Sequence, residues 1–135
     1  MKRKFRKVKA YTLSELLVVL VIIGILILIA LPNLMPLISK AKATEAKMQL
    51  THLQSLEKNY FYMYSKYSAD FNEIGFAQEK LVTQDGNANY QIEIMEATMT
   101  QFKARATAVA DFDGDGNINV WEIDQDKKLI EVTKD

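Results

Sequence analysis

Hydrophobic positions divide the chain into three stretches of different rhythm. From Leu16 to Leu31 it reads LLVVLVIIGILILIAL, without a polar side chain; counted from Tyr11, with Thr12, Ser14 and Glu15 included, the run is 21 residues. As helix that is about 30 Å, one hydrocarbon core. From Ser39 to about Ser65 the rhythm changes. Ala46, Leu50, Leu53, Leu56, Tyr60, Tyr64 and Tyr67 recur at spacings of three and four, one face of an amphipathic helix. The aromatic run Tyr60–Tyr64 is expected to anchor the end of that helix on a sheet. Pro32 and Pro36 stand between the two stretches and predict a kink or a short melted stretch near Pro32; Gly24 weakens the helix locally.

Beyond Lys66 the helical rhythm stops. A short helical turn is expected at Asp70–Ile74, capped by Ser68 or Asp70 and ended by Gly75. Alternation with period two follows at Asn89–Met95 and Phe102–Val109, and a last pair of runs, Asn117–Ile123 and Leu129–Val132, is joined by Asp124–Lys127. Each fits a half-buried antiparallel strand. The fold class is α+β, a long helix lying on a small antiparallel sheet. The chain divides into a basic segment (1–10), an apolar helix (11–38), an amphipathic helix (39–67) and a loop with sheet (68–135).

Charge changes the picture at one end only. Residues 1–10 hold six of the 17 basic residues and no acid, which leaves 11–135 with a balance of −6. A nucleic-acid-binding surface on the soluble domain is therefore not expected. The basic cluster before the apolar run places residues 1–10 in the cytoplasm and 32–135 across the membrane. There is no cysteine, so no disulfide, thiolate nucleophile or cysteine metal site. His52 is the single histidine and is expected at the surface or the boundary of the core.

A plain signal anchor, or a secretory signal cut near Ala41-Lys42-Ala43, would share this layout. The apolar run is longer than the usual signal core of about 7–15 residues. It also opens on Glu15, and an acid at membrane depth calls for a partner. The order of residues is more specific. Lys9-Ala10-Tyr11-Thr12-Leu13-Ser14-Glu15-Leu16 resembles the type IV prepilin cleavage and methylation motif, with Ala10 where that family usually has Gly. Gly24, Pro32 and the charged continuation after Lys40 also fall where the family has them, and KYSADFNEIGF is similar to the region after the long helix of G- and H-type pseudopilins.

The resemblance implies a leader of residues 1–10, cut between Ala10 and Tyr11 by a prepilin peptidase that also N-methylates Tyr11. It implies a helical homo-oligomeric filament, built from the inner membrane by a platform protein and an ATPase. Glu15 would act in assembly by pairing with the amine of Tyr11, since a buried ion left alone is costly.

Asp111-Phe112-Asp113-Gly114-Asp115-Gly116-Asn117-Ile118-Asn119-Val120-Trp121-Glu122 matches the twelve-residue calcium-loop pattern. Asp111, Asp113 and Asp115 supply hard oxygens on a tight turn, the Asn117 carbonyl can add another, Asn119 acts directly or through water, and Glu122 can close the shell with two. The flanks read as strands rather than helices, so a strand–loop–strand site is expected, with a structural calcium ion. An ion-free Asp/Gly turn is the simpler alternative. The resemblance agrees with metal, since major pseudopilins carry calcium in this part of the sheet.

No catalytic triad, phosphate-binding glycine loop or histidine metal cluster is present, and an enzyme is not expected. Three functions stay open. The first is a structural subunit of a type II secretion pseudopilus, favoured by the calcium loop and the absence of a C-terminal disulfide. The second is a type IV pilus subunit serving adhesion, twitching motility or DNA uptake. The third is an anchored calcium-binding domain that does not polymerise.

Overall fold

The computed structural model describes residues 9–135. The expected leader, residues 1–10, lies outside the described residues apart from Lys9 and Ala10. Helix α1 spans Leu13–Tyr64, and it is followed by α2 (Phe71–Ile74), a short 3₁₀ turn (Val82–Gln84) and four strands: β1 (Tyr90–Ala97), β2 (Phe102–Ala108), β3 (Val120–Asp124) and β4 (Leu129–Thr133). By internal contacts the chain forms two units, one up to Leu34 and one from Met35 to Asp135.

The first unit is the apolar part of α1. Its large side chains from Leu16 to Leu34 are all exposed in the single chain. The segment is long and apolar enough to cross a membrane. Helical structure continues over Pro32 and Pro36, so the expected melted stretch is not present. Each proline deletes one backbone hydrogen bond, and the flanking turns retain theirs.

The second unit holds the core. The strands form one antiparallel sheet in the order β1-β2-β3-β4. Its inner face presents Tyr90, Ile92, Phe102, Ala104, Ala106, Ala108 and Ile123, which pack with Ala46, Leu50, Leu53 and Tyr60 of α1. Alanines on β2 let the helix approach closely; Leu50, Leu53 and Tyr90 are fully buried. Each buried leucine contributes about 2–3 kcal/mol. The outer face is charged and cross-paired. Glu93, Arg105 and Glu122 stand in one row across three strands, and Arg105 Nη2 meets Glu122 Oε1 at 2.6 Å.

The connection from α1 to β1 is tied down at several points. Asp70 caps α2 by accepting from Asn72 N–H, and Gly75 ends it with φ +75°, a left-handed conformation that favours glycine. Glu45 on α1 grips Asn89 at the start of β1, accepting from its backbone N–H and its amide, both at 2.8 Å. Gly86 is packed against Lys80 so closely that a Cβ there would fall 1.9 Å from the Lys80 carbonyl oxygen.

The expected helical stripe is correct for Ala46, Leu50, Leu53, Tyr60 and Tyr67, while Leu56 is half-buried and Tyr64 exposed. The aromatic run splits: Tyr60 is buried and Tyr62 and Tyr64 face solvent. Phe61 stacks on Tyr67, which in turn packs on Phe102 of β2.

Candidate functional site

Two features of the chain carry chemistry, the acidic loop between β2 and β3 and the start of α1. The loop folds around its own carboxylates. Asp111 accepts from Gly114 N–H at 2.6 Å and from Gly116 N–H at 2.7 Å. Asp113 accepts from Asp115 N–H and Asp115 from Asn117 N–H. Gly114 and Gly116 take φ values of +81° and +91°, which turn the chain sharply enough to gather these side chains. Asp135, beyond β4, joins them by accepting from Phe112 N–H at 3.1 Å.

The result is a group of four carboxylates, Asp111, Asp113, Asp115 and Asp135, each offering an oxygen within 4.8 Å of the others. Ligand oxygens on opposite sides of a calcium ion lie roughly 5 Å apart, so the donor set and its spacing fit a hard divalent cation. The electrostatics are divided. Backbone N–H groups, that of Gly116 first and Gly114 next, hold the Asp111 carboxyl below its usual range. Asp113 is pushed up, by desolvation foremost and also by Asp135 and Asp115.

The structure does not bring the two remaining side chains of the twelve-residue pattern to this group. Glu122 lies on the outer face of β3 and binds Arg105 through both Nε and Nη2. The motif position assumes a following helix; in a strand, alternation turns residue 122 to the face opposite Ile123. Asn119 is buried and fully engaged. It accepts from the Tyr90 hydroxyl at 2.8 Å and from Trp121 Nε1 at 2.7 Å, and donates to Glu131 and the Thr133 carbonyl. It ties β1, β3 and β4 together, and burial drives the Tyr90 phenol well above its ordinary pKa. Asn117 is exposed, with its side-chain amide on Asp115.

Asp135 was missed in the sequence because it lies outside the contiguous motif. Beside the loop is a groove of about 640 Å³, with Pro36, Ala43 and Trp121 on its wall and Lys40, Lys47 and Lys134 among its charges. Lys47 Nζ sits 4.4 Å from the Trp121 ring centre, and Lys42 Nζ 4.2 Å from that of Phe112.

At the other feature, Lys9 to Thr12 precede the helix and are exposed. The Ala10–Tyr11 bond is therefore in an exposed segment without regular secondary structure. Thr12 and Glu15 form a reciprocal cap: Thr12 N–H donates to Glu15 Oε2 at 2.8 Å, and Glu15 N–H to Thr12 Oγ1 at 3.3 Å. Glu15 thus has a local partner within one chain, and its charge favours the helix N-terminus. His52 is exposed, its ring 6.1 Å from that of Phe76.

Comparison with known proteins bears on both features. Residues 5–31 match the prokaryotic N-terminal methylation motif. The type IV major pilin protein PilA of Myxococcus xanthus (strain DK1622) is 43% identical over 72 residues, covering 53% of this chain and 33% of that protein. The chain thus aligns with about a third of that relative's length. Residues 32–117 match the family described as type IV minor pilin ComP, DNA uptake sequence receptor. That match covers most of the chain and nearly all of its core, and the chain belongs to this family of type IV pilins.

Proposed function

We propose that this chain is a structural subunit of a type IV pilus, polymerising through α1 after removal of residues 1–10 and methylation of Tyr11. The observation that carries the reading is the methylation motif joined to a pilin-family domain in one chain. The sequence alone favoured a type II secretion pseudopilus; the matches to pilins fit the pilus alternative better. The exposed apolar stretch of α1 and the acid at its start support an assembly role. A helix hydrophobic all round needs lipid or like helices about it, and Glu15 in such a core needs a cation. The Tyr11 amine would supply one. Peptidase, platform protein and ATPase are the partners this reading requires.

The test is deletion of the gene in its own host. Loss of surface filaments with secretion intact supports the pilus; arrested secretion with no change in surface filaments returns the pseudopilus reading. Intact mass of the extracted protein, starting at Tyr11 with one added methyl group, checks processing.

A structural calcium ion held by Asp111, Asp113, Asp115 and Asp135 belongs to the same proposal. It would neutralise carboxylates that otherwise repel, and so join the segment after β4 to the β2–β3 loop. Calorimetric titration of the full chain in detergent measures it, and absence of binding at millimolar calcium rejects it.

DNA capture by the filament is a second reading, favoured by the family's description. Lys42 and Lys47 with Phe112 and Trp121 offer cations beside aromatic faces, a pairing suited to nucleic acid. The adjacent aspartates oppose it unless a cation covers them. Retention of labelled DNA by the full chain, with and without calcium, decides between them.

A further inference from the structure

Glu57 is the one carboxylate in the core of the second unit, 0% exposed, on α1 among the buried residues Leu50, Leu53, Gln54 and Tyr60. Its Oε2 accepts from Ser68 N–H at 3.0 Å. Its Oε1 is buried and has no hydrogen-bond partner. Ser68 is also held by a second carboxylate: its hydroxyl donates to Glu73 Oε2 at 2.5 Å, and the Tyr60 hydroxyl donates to the same oxygen at 3.1 Å. One serine thus links two acids, one on α1 and one on α2.

We propose that Glu57, Ser68 and Glu73 form a proton-dependent clasp that holds the segment from Tyr67 to Ile74 on α1, closed while Glu57 is neutral and loosened when it ionises. Among the described residues, Glu57 forms no ion pair with a cation. From α2 comes Glu73, an acid. From α1 come Tyr60, whose hydroxyl already serves Glu73, and Lys58, whose ammonium lies over the Phe61 and Tyr62 rings. The inner face of the sheet opposite α1 is Phe102, Ala104, Ala106 and Ile123; its acid, Glu131, is engaged with Asn119. Arg105 is committed to Glu122 on the outer face.

A buried ion without a counter-charge is strongly disfavoured, whereas a neutral carboxyl in the same place loses only one hydrogen bond. Desolvation accordingly raises the Glu57 pKa, against the lowering effect of the Ser68 N–H and with a further push from Glu73. For a group raised in the fold, the stabilisation is complete below the unfolded pKa and is lost as pH rises through the folded value. The clasp therefore weakens on the alkaline side. What it releases is the turn that carries α2 and hands Tyr67 N–H to the Thr98 carbonyl of the β1–β2 turn.

The experiment uses the full chain in detergent micelles, with carboxyl ¹³C shifts and amide exchange read across pH. Glu57 should titrate above the exposed glutamates. Above that midpoint the Ser68 amide, corrected for intrinsic exchange, should open about tenfold more than the Leu53 amide. The variant E57Q should abolish that acceleration. Titration at or below the exposed glutamates, or acceleration that persists in E57Q, overturns the proposal. Should E57Q not fold, E73Q provides the check: it should lower the Glu57 midpoint, and an unmoved midpoint also overturns the clasp.

Discussion

The two units of this chain solve opposite problems. From Met35 onward the chain builds a core of its own: Leu50, Leu53, Tyr90, Phe102 and Ile123 are buried together in one cluster. From Tyr11 to Leu34, none of the large apolar side chains is covered. The first unit has a surface whose partners lie elsewhere, in lipid or in other copies. Substitutions in the second unit should therefore register as folding defects, and those in the first as assembly defects with folding intact.

The largest effect expected is on assembly. Glu15→Ala should remove filaments almost entirely, as judged by electron microscopy, while circular dichroism of the extracted chain stays unchanged. Filaments at wild-type abundance would end the pairing role for Glu15. Next, Leu53→Ala should cost about 2–5 kcal/mol in unfolding of the second unit, whereas Leu20→Ala should leave the denaturation curve where it was. Equal shifts for the two would erase the contrast between the units. If the loop holds calcium as proposed, chelation should lower the unfolding midpoint of the second unit by a few degrees, corresponding to about 1–3 kcal/mol at saturating ion. Asp113→Asn should reduce that dependence. Asp70→Ala removes the α2 cap and should cost about 1 kcal/mol. Smallest of all, Glu122→Gln should change stability by no more than about 1 kcal/mol and leave calcium affinity as it was. A lost calcium response would place Glu122 back in the ion's shell.

Much of this was legible in the sequence because local rules and tertiary packing agree. Alternation of Tyr90, Ile92 and of Phe102, Ala104, Ala106 placed β1 and β2, and Asp70 with Gly75 bracketed α2 within a residue. The charge of Glu57 argues for solvent. The spacing Leu50, Leu53, Glu57, Tyr60 puts it on the buried face, so periodicity was the better guide there. Asn119 and Glu122 followed a motif built for a helix-flanked loop. Pairing with β2 set their orientation instead, and no pattern within twelve residues contains that information. Asp135 reaches the loop only because β4 lies beside β3.

The grip of Glu45 on Asn89 has a consequence for what the chain could be made to carry. Together with Ser68 on Glu57, it fastens both ends of the stretch between α1 and β1 to the helix, independently of what lies in the middle. Closing a longer loop costs little once its ends are fixed. A guest peptide spliced into the exposed turn Val82–Asp85 would leave both fastenings and the sheet register untouched. Every copy of the subunit in a polymer would then bear that peptide, a repeating array whose spacing is set by the subunit rather than by the insert.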